Sequence, residues 1–425
     1  MLGNHYARLA CVLIAALALR LAAGYAWQER LGPERRFAFG DSDAYWTLAG
    51  QLARGEPYQY GSPDARVVRM PGYPFVLAGL FKLAGDDPPV LAGRALSAIL
   101  GTLAVAGVYG LGRQLFDPTT GLFAAALATV YPGAIATSVF VLSEAPFCPL
   151  LLAQLMASVA SWQAATRRRA AWLAALSGLL AGLATMMRPS WLLFVPFAAV
   201  VGIASSWCCG RFAGGERGKH VRLGAIALVA LALTMTPWWL RNGQVTGHFV
   251  PTTLQVGASL YDGLNPQADG SSEMSFVARF ERAERKAEPA GGGQAEPFEY
   301  RLDRRLRDAA LDWAAAHPGR VLRLAAVKVL RLWNVWPNDP QFRFWFVRLA
   351  VLLTYAPALA LAAWQTWQDR RRGWPLALVW LPAAYLTLLH TIFVSSIRYR
   401  EPAMLCLLTL AAAAIARGIL ASSEG

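Results

Sequence analysis

Charge is scarce in this sequence. Only 16% of its 425 residues are Asp, Glu, Lys or Arg, against 56% that are hydrophobic, and the mean hydropathy is +0.36. A soluble domain of this length needs a polar surface that such a composition does not supply. Acidic residues are the scarcest, 26 against 40 Lys and Arg, for a formal net charge of +14. That excess is not gathered on one soluble module, and no nucleic-acid-binding motif is present, which argues against nucleic acid as a partner. The five cysteines, Cys11, Cys148, Cys208, Cys209 and Cys406, lie mostly inside apolar blocks. None has zinc-ligand spacing, and neighbouring Cys208 and Cys209 are too close for an ordinary disulfide, so all read as structural. Also absent are a GxxxxGK[ST] phosphate loop and a GxGxxG turn after a strand, which argues against nucleotide chemistry. No internal repeat is found.

What is present is a series of Leu- and Ala-rich blocks, each near the ~20 residues needed to cross a hydrocarbon core. They lack the alternation of barrel strands, and backbone groups cannot stay unpaired in lipid. The fold class is therefore all-α, a polytopic helical membrane protein with about ten spans. The spans are read at 6–27, 89–112, 119–133, 143–164, 171–187, 190–207, 221–240, 344–364, 374–390 and 402–420. The first block resembles a cleaved signal peptide in its short length and basic start. Arg20 interrupts its centre, so an uncleaved helix is the preferred reading.

Short loops set the orientation. Arg167-Arg168-Arg169, the group Arg211, Arg217, Lys219 and Arg222, and Arg370-Arg371-Arg372 fall in loops of one parity. The positive-inside rule assigns them to the cytoplasm, with both termini, in the inner (plasma) membrane. Two large extracytoplasmic loops follow, 28–88 and 241–343, separating an N-terminal module 1–240 from C-terminal spans 344–425. The first carries an amphipathic helix from Ala44 to Arg54 and an apolar stretch, 71–84, read as interfacial or re-entrant. The second carries a charged segment at 279–288, a Gly291-Gly292-Gly293 break, and helices near 297–316 and 319–333.

Ionisable groups at membrane depth are costly, about 2.5–3.5 kcal/mol each on insertion scales. In this topology Arg20, Arg94, Glu144, Arg188, Arg241, Arg398 and Arg400 all lie near the outer ends of their spans, with Asp41 and Asp43 at the same level. Snorkelling accounts for single arginines. It fits Glu144 poorly and does not explain the number at one leaflet. A polar cavity opening outward, able to hold an anionic lipid headgroup, does.

The order of short motifs carries a resemblance. Gly40-Asp41-Ser42-Asp43-Ala44-Tyr45 follows the first helix, then Gly55-Glu56-Pro57-Tyr58, Pro71-Gly72-Tyr73-Pro74, Tyr131-Pro132 and Leu142-Ser143-Glu144. Met187-Arg188-Pro189-Ser190, Pro237-Trp238-Trp239-Leu240-Arg241-Asn242, His317-Pro318, Lys328 and Arg398-Tyr399-Arg400-Glu401-Pro402 complete it. The chain resembles the GT-C membrane glycosyltransferases over nearly its whole length. The branch is that of family 39 protein mannosyltransferase relatives, lipid A aminoarabinose transferases and rhizobial lipopolysaccharide sugar transferases.

The resemblance implies transfer of a sugar from a polyprenyl-phosphate carrier, with inversion, to an extracytoplasmic acceptor: a lipid, a glycan or a protein. It implies Asp41 as general base, with Asp43 as the alternative; an N-cap is the competing structural role for Asp41. Glu144 is the second acid, helping to bind substrate, pairing with Arg94 or Arg188, or sharing a divalent metal. No ligand cluster supports that metal, so no cofactor is assigned. Arg398 and Arg400 first, then Arg188, Arg94 and Lys328, are candidates to bind the donor phosphate, where one such contact is worth about 2–4 kcal/mol. Tyr45, Tyr73 and Tyr399 are candidates to line the substrate groove, with interface packing as their other reading. A lipid or solute transporter, or an inactive polyprenyl-phosphate-binding relative, stands as the alternative function.

Overall fold

The computed structural model describes residues 2–32, 34–208, 215–287, 296–337, 342 and 344–423. Among them every regular element is a helix. The first half comprises α1 (Leu2–Leu31), α2 (Gly40–Arg54), α3 (Gly72–Ala84), α4 (Val90–Leu115), α5 (Pro118–Val130), α6 (Pro132–Val139), α7 (Glu144–Gln163), α8 (Arg167–Met187), α9 (Phe194–Cys208) and α10 (Gly215–Thr246). The second comprises α11 (Val256–Gly263), α12 (Val277–Lys286), α13 (Phe298–Ala316), α14 (Pro318–Leu332), α15 (Trp345–Gln368), α16 (Trp374–Ile392) and α17 (Glu401–Ser423). Among the described residues nine helical segments are long and apolar enough to cross a bilayer, and the bent pair α5–α6 makes a tenth. Gly291-Gly292-Gly293, Arg211 and Cys209 lie outside the described residues.

The span expected as one helix at 119–133 is broken. Pro132 has no amide to donate to Ala128, and it holds Tyr131 in an extended conformation (φ −67°, ψ 119°), so the chain turns by 61° between α5 and α6. The expected amphipathic helix at Ala44 also begins earlier, at Gly40. Its N-cap is Phe39, so Asp41 lies in the first turn of α2 and does not cap it. There its charge still favours the helix N-terminus. The 13 residues of α3 extend for about 20 Å, too short to span, and the helix packs on α2 and against the end of α8. The segment read at 279–288 lies in α12 as far as Lys286, while residue 288 is outside the described residues, and α11 is an element the periodicity did not announce.

Small residues let the spans approach closely. At Gly178 of α8 a Cβ would sit 2.1 Å from the Ala227 carbonyl oxygen of α10, so no other residue fits that crossing. Ala411, Ala412, Ala413 and Ala414 let α17 sit inside the bundle, against α4, α5, α15 and α16. Cys148 and Cys406 are buried as free thiols in the same core.

The connections place one set of chain segments at one end of the bundle. The α7–α8 hairpin turns at 164–166, which leaves Glu144 and Arg188 together at its open end. The α15–α16 hairpin turns at Arg370–Arg372, and the α16–α17 link at the opposite end carries Arg398. The link from α1 into α2 brings Asp41 beside them.

Candidate active site

Glu144, the first residue of α7, is 1% exposed and is held from two sides. Arg188, just past the end of α8, puts Nη1 2.7 Å from its Oε1. Arg398, in the short 3-10 turn Ile397–Arg400, donates from Nε to Oε1 and from Nη2 to Oε2 (3.2 Å). The same Arg398 Nη2 lies 3.8 Å from Asp41 Oδ2. On its other oxygen Asp41 accepts a 2.8 Å hydrogen bond from Arg69 Nη2. Three guanidinium groups and two carboxylates thus form one chain, Arg69–Asp41–Arg398–Glu144–Arg188, with one positive charge in excess. Of its two acids, Glu144 is closed off, while the Asp41 side chain is 42% exposed.

Aromatic rings frame this chain. Tyr399 lies 5.6 Å from the guanidinium carbons of both Arg188 and Arg398, and stacks on His390 with ring centres 4.5 Å apart. Phe39 lies under Arg398 at 5.7 Å and Phe147 under Arg188 at 5.7 Å. Behind Asp41, Tyr45 meets Tyr73 edge-on at 5.3 Å, and burial beside the Asp41 carboxylate raises the Tyr45 phenol.

Residues 68–239 match the family model described as dolichyl-phosphate-mannose-protein mannosyltransferase. That interval contains Arg69, Glu144 and Arg188. No curated protein sequence matches the chain. Among solved structures, the archaeal oligosaccharyltransferase AglB from Archaeoglobus fulgidus, in complex with an inhibitory peptide and a dolichol-phosphate, is 15% identical with a TM-score of 0.59. The match covers 99% of this chain and 51% of that one. The apo form of the Archaeoglobus fulgidus enzyme gives 14% identity, 99% and 52% coverage, and a TM-score of 0.61. The chain has the GT-C membrane glycosyltransferase fold. It spans about half the length of the oligosaccharyltransferases it matches. ArnT from Cupriavidus metallidurans bound to undecaprenyl phosphate is also similar, at 14% identity, 94% and 77% coverage and a TM-score of 0.46.

Within this GT-C fold the ionisable residues singled out in the sequence separate into two groups. Asp41, Glu144, Arg188 and Arg398 meet. Asp43 does not join them: two positions along α2 it faces another way, and its Oδ2 accepts from the Tyr60 hydroxyl at 3.2 Å. Arg94 donates to Gln28 Oε1 (2.9 and 2.8 Å), to the Val139 carbonyl (3.0 Å) and to the Arg36 carbonyl (3.1 Å). Arg400 is fully buried, donates to the Leu332 and Asn334 carbonyls, and lies 3.6 Å from the centre of the Tyr355 ring. Lys328 is fully buried and donates to the Gly263, Thr391 and Ile392 carbonyls. Neither Arg94, Arg400 nor Lys328 contacts Asp41 or Glu144.

These three have a common physical role. The last carbonyls of a helix have no intrahelical partner and carry its negative end. Arg94 caps α6, Arg400 caps α14, and Lys328 caps both α11 and α16. Arg20 does the same for α5, donating to Ala128 (3.0 Å) and Thr129 (3.3 Å). At the opposite end of the bundle, the exposed Arg372 caps α4 through the Leu115 carbonyl (2.6 Å). Buried cations at one leaflet are therefore largely helix C-caps, a role the outward-cavity reading of the sequence did not weigh.

Tyr73 packs inside the protein. It is fully buried, with its hydroxyl 3.3 Å from Ser97 Oγ, and Tyr45 is 8% exposed, so both form the wall behind the site. Tyr399 is the partly open ring. Conversely, Arg69 was not singled out. A loop arginine outside the spans has no desolvation cost to flag it; its only signal is its place two residues before Pro71-Gly72-Tyr73-Pro74. Among the described residues no three His, Cys, Asp or Glu side chains come together, and Asp41 and Glu144 each face arginines.

Proposed function

We propose that this protein transfers a sugar from a polyprenyl-phosphate carrier to a hydroxyl acceptor, with inversion, at an extracytoplasmic site centred on Asp41. The observation that carries this reading is the open Asp41 carboxylate set between Arg69 and Arg398. An acceptor hydroxyl is a poor nucleophile and needs a base within hydrogen-bond reach; the exposed Asp41 carboxylate provides one. The leaving group is a lipid phosphate on which charge grows as the glycosidic bond breaks, and fixed guanidinium groups lower that barrier. Arg69, Arg188 and Arg398 supply them, and arginine suits bidentate phosphate contact. Glu144, closed to solute, orients Arg188 and Arg398. The arginine-rich turns at Arg167–Arg169 and Arg370–Arg372 lie at the opposite ends of their hairpins, which supports an outward-facing site by the positive-inside rule. Lateral entry of a lipid donor agrees with the fold's membrane spans and needs no nucleotide site.

The test is incubation of the purified protein in lipid nanodiscs with a panel of polyprenyl-phosphate sugars, following release of polyprenyl phosphate. Release by the wild type and its loss in Asp41→Asn, with lipid binding retained, is the expected result. Lipid translocation without any sugar release would instead identify a transporter. Binding without turnover across the panel would identify an inactive relative.

A further inference from the structure

The arginine on the exposed side of Asp41 does not hold itself in place. Arg69 lies in a bent, non-helical stretch of the first outer loop, and the second outer loop fixes that stretch from outside. Glu299, in the first turn of α13, is 7% exposed. Its Oε2 accepts the amides of Arg66 (2.8 Å) and Val67 (3.0 Å), and its Oε1 accepts Val67 again (3.1 Å). The Val67 carbonyl accepts the Leu254 amide at 2.9 Å, so residue 67 is pinned on both sides by the same loop. Two residues on, the Tyr58 hydroxyl faces the carbonyls of Arg69 and Met70, both at 3.2 Å.

Buried amides need acceptors, and only a carboxylate offers two adjacent oxygens to two consecutive N–H groups without presenting a donor of its own. Arg398, the other cation on Asp41, is approached from the same loop. Ser395 donates its amide to the Gly270 carbonyl at 2.9 Å, and Lys328 holds the Thr391 and Ile392 carbonyls.

We propose that Glu299 is a positioning residue for the transfer centre, fixing the 66–69 backbone so that the Arg69 guanidinium meets Asp41. The inference rests on Asp41 being the base, and it makes the second outer loop part of the catalytic frame. A small displacement of the stretch withdraws Arg69 from the carboxylate, and misplacement by about 1 Å can cost on the order of a hundredfold in rate.

The experiment reads Glu299→Gln in the full-length protein in two ways. The first needs no reaction: phenylglyoxal labelling of Arg69, resolved by peptide mass spectrometry, speeds up several-fold as the guanidinium leaves Asp41. Unchanged labelling overturns the proposal. The second is a double-mutant cycle on sugar transfer. Glu299→Gln lowers transfer at least about tenfold in the wild-type background and has little further effect in Arg69→Ala. Equal losses in both backgrounds, or no loss in the first, overturn it. Glu299→Asp keeps the charge on a shorter stem; it moves both readouts in the same direction, and it decides the matter if the Gln variant does not fold. A wild type that transfers no sugar defeats the functional reading instead, and labelling then decides the placement alone.

Discussion

Arg398 grips both carboxylate oxygens of Glu144 across 254 residues of sequence, and the same guanidinium turns toward Asp41. The carboxylate it holds is buried and is shared with Arg188. Removing that negative charge leaves Arg188 and Arg398 facing each other, with only the Asp41 carboxylate, 3.8 Å from Arg398, remaining as a counter-ion. Breaking one side of such a buried pair costs about 3–5 kcal/mol. Glu144→Gln is therefore expected to lower the melting temperature in detergent markedly, and to lower transfer with it. Arg398→Lys does not substitute, because an ammonium cannot make the two-pronged contact. A melting curve of Glu144→Gln that overlays the wild type would show that water, not the protein, balances these charges.

Asp41 and Asp43 share the first turn of α2 but have different partners. Asp41 faces Arg69 and Arg398, whereas Asp43 is exposed and faces Tyr60. Loss of a general base typically reduces rate by about 10²–10⁴. Asp41→Asn is expected to fall by that order with the protein still folded, while Asp43→Asn stays near wild type. The reverse ranking in a sugar-release assay would reassign the base.

The spans were legible because desolvation writes them into composition: a block of apolar residues of the right length has few other fates. Depth in the membrane was legible in the same way, which is why Glu144, Arg188 and Arg398 stood out. Direction around the helix axis was not. Arg94, Arg400 and Lys328 carry the same cost in sequence as Arg188 and Arg398. What separates them is whether a neighbouring helix ends beside them and offers free carbonyls, and that neighbour is distant in sequence. Arg69 was hidden for the opposite reason, since its loop position made its charge look ordinary. The start of α2 was misjudged because Gly40 and Asp41 read as loop residues, although an acid in the first turn complements the helix dipole.

Arg20 and Pro132 form a pair whose coupling can be measured. Pro132 leaves the Ala128 carbonyl without its amide, and Arg20 supplies the hydrogen bond instead, with a further contact to Ser138 Oγ at 3.2 Å. Arg20→Leu leaves buried carbonyls unpaired, at about 1–3 kcal/mol each. Pro132→Ala restores an N–H that can reach Ala128. In the Arg20→Leu background it is expected to recover part of the stability, although alone it relaxes the bend and destabilises. Strictly additive effects in a denaturant series would show that Arg20 serves some other group.

Glu299 gives the site a pH dependence of definite sign. Burial pushes its carboxyl up to about 7, against the opposing pull of the Val67 and Arg66 amides and the Arg241 guanidinium, while Asp303 adds to the rise. Between the reference value of 4.5 and about 7 the folded protein holds a proton that the unfolded chain has released. Stability therefore falls as pH rises through that window, and is flat above it as far as this group is concerned. The grip on Arg66 and Val67 changes in the other direction, because the ionised carboxylate accepts with both oxygens and the protonated acid does not. Transfer is thus expected to rise across pH 7 while melting temperature declines from pH 4.5 to 7. Both trends disappear in Glu299→Gln and persist when His248, stacked on neighbouring Tyr300, is replaced by Gln. A Glu299→Gln profile that keeps the rise near pH 7 would assign that titration to a different group and detach Glu299 from the chemistry at Asp41.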